Sequence, residues 1–183
     1  LSFDGVDDYV SVGCYDNLSG MNQLQIEVYF YLNDFPDNLE NYVILGNWTE
    51  QQAYVLFLNG SNNHLWFVIN GHTVQLSIPF EDVELNKWHH ISVDYNGTLG
   101  SIELVLDNEI QLNQMVPIDD INFGCELLLG KEYGVPNFFN GSINSITIAS
   151  EYGEIINYKF NAGTGTTLYD HSGNGNHGTI NGA

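Results

Sequence analysis

Near the C-terminus, Asp170, Ser172 and Asn174 stand at alternate positions, followed by Gly175 and Asn176. That is an oxygen-bearing side chain at every second residue, with glycine where the chain must turn. A calcium loop of the D-x-[DN]-x-[DN]-G kind is built this way, because a hard cation needs several oxygens converging at short range. The same spacing also suits a polar, glycine-rich turn that binds nothing. Both readings of this stretch stay open on spacing alone.

Other residue types that could do chemistry fall away one by one. His89 and His90 are adjacent, and a strand would turn them to opposite faces, so they cannot chelate one ion together; their neighbours Trp88, Ile91 and Val93 read as core. No tight E-x-D-x-x-E arrangement supplies the two carboxylates that glycoside hydrolysis needs. Glu151-Tyr-Gly-Glu154 sits at a strand end, and Glu81, Asp82 and Glu84 read as a solvated loop. A serine elbow and a phosphate-cradling loop are absent from the sequence. The expectation is a chain that is not an enzyme. For sugar binding, a loop-displayed ring that stacks on a sugar face is the requirement, and Trp48 is the first candidate, with Tyr15 and Tyr133, and with Phe138 as a helper. Trp66, beside Phe67 in a strand, reads as core.

Composition narrows the partners. The chain has 183 residues, 23 of them acidic, against three lysines (Lys87, Lys131, Lys159) and no arginine, for a formal charge of −20. Nucleic acid is excluded as a partner, because its phosphates demand Lys and Arg. Anionic membrane surfaces are excluded for the same reason, and no apolar run is long enough to insert into a bilayer. Such a charge fits a surface that attracts divalent cations, or one kept soluble in a saline medium. Residue 1 is Leu, which points to a processed product or an excised domain. Cys14 and Cys125 allow one disulfide, which spacing cannot confirm. Five N-x-[ST] sequons, at Asn17, Asn47, Asn59, Asn96 and Asn140, fall in apparent loops and suit a glycoprotein.

The elements that must position these residues are strands. Gln23–Leu32 alternates most cleanly, with Leu24, Ile26, Val28, Phe30 and Leu32 on one side and Gln23, Gln25, Glu27, Tyr29 and Tyr31 on the other. Further strands are predicted near 6–12, 42–47, 53–58, 64–69, 73–78, 88–95, 101–106, 109–113, 126–130, 142–149 and 155–161. Asn70-Gly71 is a two-residue hairpin signal, and Asn96-Gly97 and Asp107-Asn108 are further turns. Residues 83–87 form at most a short turn. About a dozen short strands with little or no helix make an all-β antiparallel sandwich over a single domain, 1–183.

Four segments carry a family resemblance. Tyr158–Gly178 resembles the opening segment of laminin-G-like, concanavalin A-like lectin–glucanase jelly rolls, and Leu1-Ser-Phe-Asp-Gly-Val-Asp-Asp-Tyr-Val10 resembles the segment that normally follows it. Trp88-His-His-Ile-Ser-Val93 and Phe139-Asn-Gly-Ser-Ile-Asn-Ser-Ile146 are similar to two later signatures. The resemblance implies a jelly-roll fold, and it implies that the Asp4, Asp7 and Asp8 stretch lies close to the Asp170 loop. A remote carboxylate from Asp4 or Asp7 would then complete a calcium site with Asp170, Ser172, Asn174 and Asn176. Ser and Asn in place of carboxylates imply weak, extracellular-type affinity. Asn144 stands where the family often has an acid.

In the family the Asp170-type segment usually comes first; here residues 155–183 close the chain. A cut out of phase from a tandem array, a permutation, and a strand donated to a neighbouring copy each account for that order. The function expected is a non-catalytic extracellular structural or adhesive module at a cell or virion surface, self-assembling or in tandem repeats. The alternative is a calcium-dependent carbohydrate-binding module, and the third is a glycan hydrolase.

Overall fold

The computed structural model describes residues 1–18, 20–46, 54–69, 74–117, 121, 126–131, 134–161 and 165–183. Fifteen strands are found among them. In chain order they are β1 (Ser2–Asp4), β2 (Tyr9–Val12), β3 (Gln23–Leu32), β4 (Asn41–Gly46), β5 (Tyr54–Asn59), β6 (His64–Ile69), β7 (Val74–Pro79) and β8 (Trp88–Asn96). There follow β9 (Ser101–Leu106), β10 (Glu109–Met115), β11 (Leu127–Leu129), β12 (Asn140–Ser150), β13 (Gly153–Lys159), β14 (Thr167–Leu168) and β15 (Gly178–Asn181). The count exceeds the dozen expected by β1, β14 and β15, strands of two to four residues that are too short to show an alternation. Among the described residues, helix is confined to two single 3-10 turns, Asp16–Leu18 and Phe80–Asp82.

The strands form two antiparallel sheets. The first runs β1-β12-β3-β8-β9-β10, with β13 also on β12; the second runs β14-β15-β2-β11-β4-β5-β6-β7. The alternation of β3 drives this arrangement. Leu24, Ile26, Val28, Phe30 and Leu32 are all buried between the sheets, each contributing roughly 2 kcal/mol of burial. Ile91, Val93, Ile146 and Ile148 flank them in the same sheet, facing Leu56, Leu58, Leu65 and Phe67 of the second. Asp107 and Asn108 both have positive φ, 51° and 68°, which Asp and Asn tolerate, so two residues suffice to join β9 to β10. Gly141 is required by close approach, because a Cβ there would overlap the Tyr31 carbonyl oxygen. The Asn70-Gly71 turn lies outside the described residues.

Residues 155–183 pair within the chain. β13 lies against β12, running from Ser145↔Lys159 to Ser150↔Gly153. β15 lies against β2, from Gly178↔Val12 to Asn181↔Tyr9. The expectation of a strand donated to a neighbouring copy rested on an edge left open by the displaced opening segment; in the single chain that segment pairs in cis, with β15 along β2.

The carboxylate of Asp170 fastens this segment. Its Oδ1 accepts from the backbone N–H groups of Asn157 and Ser172, both at 2.9 Å. Its Oδ2 accepts from the Ser172 hydroxyl at 2.7 Å and the Asn176 N–H at 3.0 Å. Asn174 and Asn176 then donate their side-chain amides to the Ile155 carbonyl, at 3.1 and 2.9 Å. Burial pushes the Asp170 carboxyl up, but donors from Ser172, Asn157 and Asn176 outweigh it, and the net shift is downward. Charged hydrogen bonds at a buried group are strong.

Two outcomes follow. Asp170→Asn should cost roughly 3 kcal/mol, because one oxygen is replaced by a donor facing donors. A folded-state pKa below the unfolded value of about 3.9 means the contribution is complete above that value and is lost as pH falls through the lowered one. Urea midpoints measured against pH should therefore show an acid-side loss in the native protein that is smaller in the Asn variant. Deleting residues 155–183 should abolish the near-ultraviolet circular dichroism of the remainder, because Ile156 and Tyr158 are core residues of β13.

Candidate functional site

Alternation that buries one face of β3 displays the other. Register between β3 and β8 pairs Tyr31 with Trp88, Tyr29 with His90, Glu27 with Ser92 and Gln25 with Asp94. On the far side of β3, β12 adds Ser142 opposite Tyr31, Ser145 opposite Tyr29 and Thr147 opposite Glu27. β9 extends the last rows with Val105 opposite Ser92 and Glu103 opposite Asp94. Cross-strand partners share a face, so these residues form a ladder of rows on the outer surface of the first sheet.

Its first two rows are aromatic. Tyr29 and His90 stack with centroids 4.2 Å apart and planes at 25°; Tyr31 and Trp88 approach at 5.6 Å and 57°. Trp88 is 48% and Tyr29 44% exposed, large values for rings that could have packed inward. The sequence reading of Trp88 as core is corrected here: it opens β8 on the outer phase, with His89 turned in. Trp66 is half-buried against a second buried cluster, Val43, Val55, Phe57 and Val68, its indole N–H donating to Asn62 Oδ1 at 3.0 Å.

The inward histidine anchors the strand. His89 is 1% exposed; its Nδ1 lies 2.7 Å from Asp107 Oδ2 and its Nε2 lies 2.8 Å from the Glu84 carbonyl oxygen. Asp107 Oδ1 accepts from the His90 backbone N–H at 2.9 Å. Burial raises the Asp107 carboxyl, yet the His90 N–H and the His89 ring outweigh it and hold it below its ordinary value. The ring of His90 is half-buried; its Nε2 has no hydrogen-bond partner among the described residues and lies 3.9 Å from Glu27 Oε2. At the far end of the ladder, burial raises the Asp94 carboxyl and the Glu103 charge adds to it. Exposed rings beside Ser, Thr, Gln and Glu can stack on the apolar face of a sugar while holding its hydroxyls.

The metal residues expected from sequence divide into two places. Asp170, Ser172, Asn174 and Asn176 do come together, but their polar atoms engage one another and the backbone of Glu154, Ile155 and Asn157. Asp4 and Asp7 are elsewhere. Asp4 pairs with Asn140 and Tyr158 with Ile146 along the same edge of β12, a separation of about 20 Å at strand rise, and Asp170 bridges Tyr158. Asp4, Asp7 and Asp8 form their own group, with one carboxylate oxygen each, all within 4.8 Å of one another. Asp8 is 8% exposed and accepts the Asp4 N–H at 2.8 Å. Burial raises its carboxyl, and the Asp4 and Asp7 charges raise it further. Three converging carboxylates fit a hard cation in donor type, and backbone oxygens or water would have to complete the shell.

Of the remaining candidates, Trp48, Tyr133, Asn47 and Cys125 lie outside the described residues, as does the side chain of Asn17. Tyr15 is half-buried against the core, its hydroxyl donating to the His177 carbonyl at 3.2 Å. Cys14 is exposed. The side-chain oxygens of Asn59, Asn96 and Asn140 accept hydrogen bonds from Asn62, Leu99 and Asn33. The strip of Tyr29, Tyr31, Trp88 and His90 was missed as a site, although placing Tyr29 and Tyr31 on the polar side of β3 was the signal for it.

Comparison with known proteins agrees with this architecture. A candidate carbohydrate-binding protein from Bacteroides ovatus superposes with a TM-score of 0.74 at 17% identity, over 100% of this chain and 59% of that one. The mouse laminin alpha1 chain, domains LG4-5, gives 0.61 at 14% identity, over 85% of this chain and 41% of that one. Botulinum neurotoxin type C, whose cell entry depends on interaction with two ganglioside molecules, gives 0.58 at 18% identity, over 78% of this chain and 38% of that one. This chain thus spans less than two thirds of each of these proteins, and identities this low establish shared fold alone. No curated protein sequence matches the chain. Residues 4–151 match the family Laminin_G_3, described as the concanavalin A-like lectin/glucanases superfamily, and the chain belongs to that family.

Proposed function

We propose that this domain is a non-catalytic, extracellular carbohydrate-binding module that contacts glycans through the outer face of its first sheet. The observation that carries the reading is the paired exposure of Trp88 and Tyr29 in register-matched aromatic rows. Solvent-facing rings of this size lose hydrophobic stabilisation unless something covers them. Pyranose rings have an apolar C–H face that suits such coverage, and Ser142, Ser145, Thr147, Gln25 and Glu27 border the rings with hydrogen-bonding groups. The family and the carbohydrate-related descriptions of two structural neighbours support the same class. Adhesion to a glycosylated surface is the role this gives the module.

Calcium enters the reading at Asp4, Asp7 and Asp8. The Asp170 loop has the expected oxygens, but its carboxylate already has four donors. The Asp4 group has convergent like charges that a cation would relieve. A site with three carboxylates suits extracellular calcium, with dissociation constants on the order of 10⁻⁴–10⁻³ M.

Trp88→Ala should weaken binding to a glycan found by array screening about tenfold, roughly 1.4 kcal/mol, with an unchanged melting temperature because the ring is half exposed. Unaltered affinity in that variant contradicts the proposed surface, and product release from the bound glycan contradicts a non-catalytic module. Millimolar calcium should raise the melting temperature of the native protein and of Asn174→Ala, but not of Asp7→Asn. The reverse pattern would return the metal to the Asp170 loop.

A further inference from the structure

We infer that the glycan taken by the outer face of the first sheet is an amino-sugar chain with free ammonium groups. The inference rests on the glycan-binding reading of that face and adds the sign of the ligand's charge.

The ladder has four successive rows: Tyr31 with Trp88, Tyr29 with His90, Glu27 with Ser92, and Gln25 with Asp94 and Glu103. At two residues per row, the four extend over about 20 Å, enough for several linked sugar rings. One end is aromatic and the other acidic. Asp94 and Glu103 stand directly opposite each other across β8 and β9, an arrangement of like charges that destabilises a sheet. Glu103 accepts a hydrogen bond from the neutral amide of Asn113 at 2.8 Å, and no ion pair to Asp94 or Glu103 is found among the described residues.

The cations of the chain are placed elsewhere or at the margin. Lys87 pairs with Glu84 at 2.6 Å, and Lys131 sits over the rings of Tyr9 and Phe138. Lys159 lies on β13, beyond Ser145 from Tyr29. A ligand here therefore meets rings first and carboxylates next. An amino sugar offers a C–H face for the rings and ammonium groups for Glu27, Asp94 and Glu103, and an ammonium over a ring face is itself attracted. Sulfated or uronic chains would meet those carboxylates and a net charge of −20.

The test compares four labelled probes on the whole domain, at a pH where amines are charged and at two salt concentrations. They are β-1,4-linked hexamers of glucosamine, N-acetylglucosamine and glucose, and a hexalysine peptide. The glucosamine hexamer should bind at least about tenfold more tightly than the other two sugars. That preference should fall in Glu27→Gln and Asp94→Asn, and persist in Glu40→Gln, which makes the same charge change on the loop before β4. All sugar binding should weaken in Trp88→Ala, which leaves the net charge unchanged. Equal, Trp88-dependent binding of the three hexamers would overturn the charge inference and leave the glycan surface standing. A glucosamine preference that survives Trp88→Ala, or Trp88-dependent hexalysine binding of equal strength, would overturn it as bulk attraction or peptide recognition. Absence of any Trp88-dependent sugar binding would overturn both the inference and the surface on which it rests.

Discussion

Register between β3 and β8 is the constraint on which the rest depends. Side chains in a strand alternate, so a slip of one residue would exchange the faces of Trp88, His89 and His90 and bury the rings now exposed. Two features hold the register. The inner phase of β3 is filled by Leu24, Ile26, Val28, Phe30 and Leu32, so a slip would expose five large apolar side chains. Asp107, reaching back from the β9–β10 turn, binds the His89 ring with one oxygen and the His90 N–H with the other. That carboxylate fixes both the buried histidine and the backbone of the displayed one.

The C-terminal segment shows how one oxygen pattern can serve two ends. Side chains at Asp170, Ser172, Asn174 and Asn176 can surround a cation, or they can saturate the turns of their own loop and the strand beneath. Here the Asp170 carboxylate accepts from three backbone amides and one hydroxyl, and the two asparagines hold the Ile155 carbonyl. The Tyr158 hydroxyl donates to the Asn176 carbonyl, and burial pushes its pKa up. Interaction at this loop is thus directed at β13, which carries Ile156 and Tyr158 into the core. The outer face that carries Tyr29 and Trp88 belongs to the same sheet, and β13 pairs with its β12 flank.

Much of this fold was legible in the sequence because strand alternation and turn chemistry are local signals. The pattern of Gln23–Leu32, the Asp107-Asn108 turn and the strands near 88–95 and 142–149 all appear where expected. The site was less legible, because it depends on which residues of distant strands stand opposite one another. Tyr29 and Tyr31 were visibly on the polar side of their strand, but only the pairing with β8 shows that they meet His90 and Trp88. Trp88 looked like core from its apolar neighbours; His89 is the residue that turns inward, held by Asp107 and the Glu84 carbonyl. The proximity of Asp4 and Asp7 to the Asp170 loop, implied by resemblance, fails because β1 and β13 lie end to end along β12 rather than side by side.

The most direct measurement of the central claim is a nitrogen–proton NMR titration of the domain with a glycan that binds it. The account predicts saturable shifts of the Trp88 indole and of the Tyr29, Tyr31 and His90 amides. Glu27 and Ser145 should shift along with them, while the second sheet stays unperturbed. Shifts at the Trp48 indole, with the Trp88 indole unmoved, would contradict it.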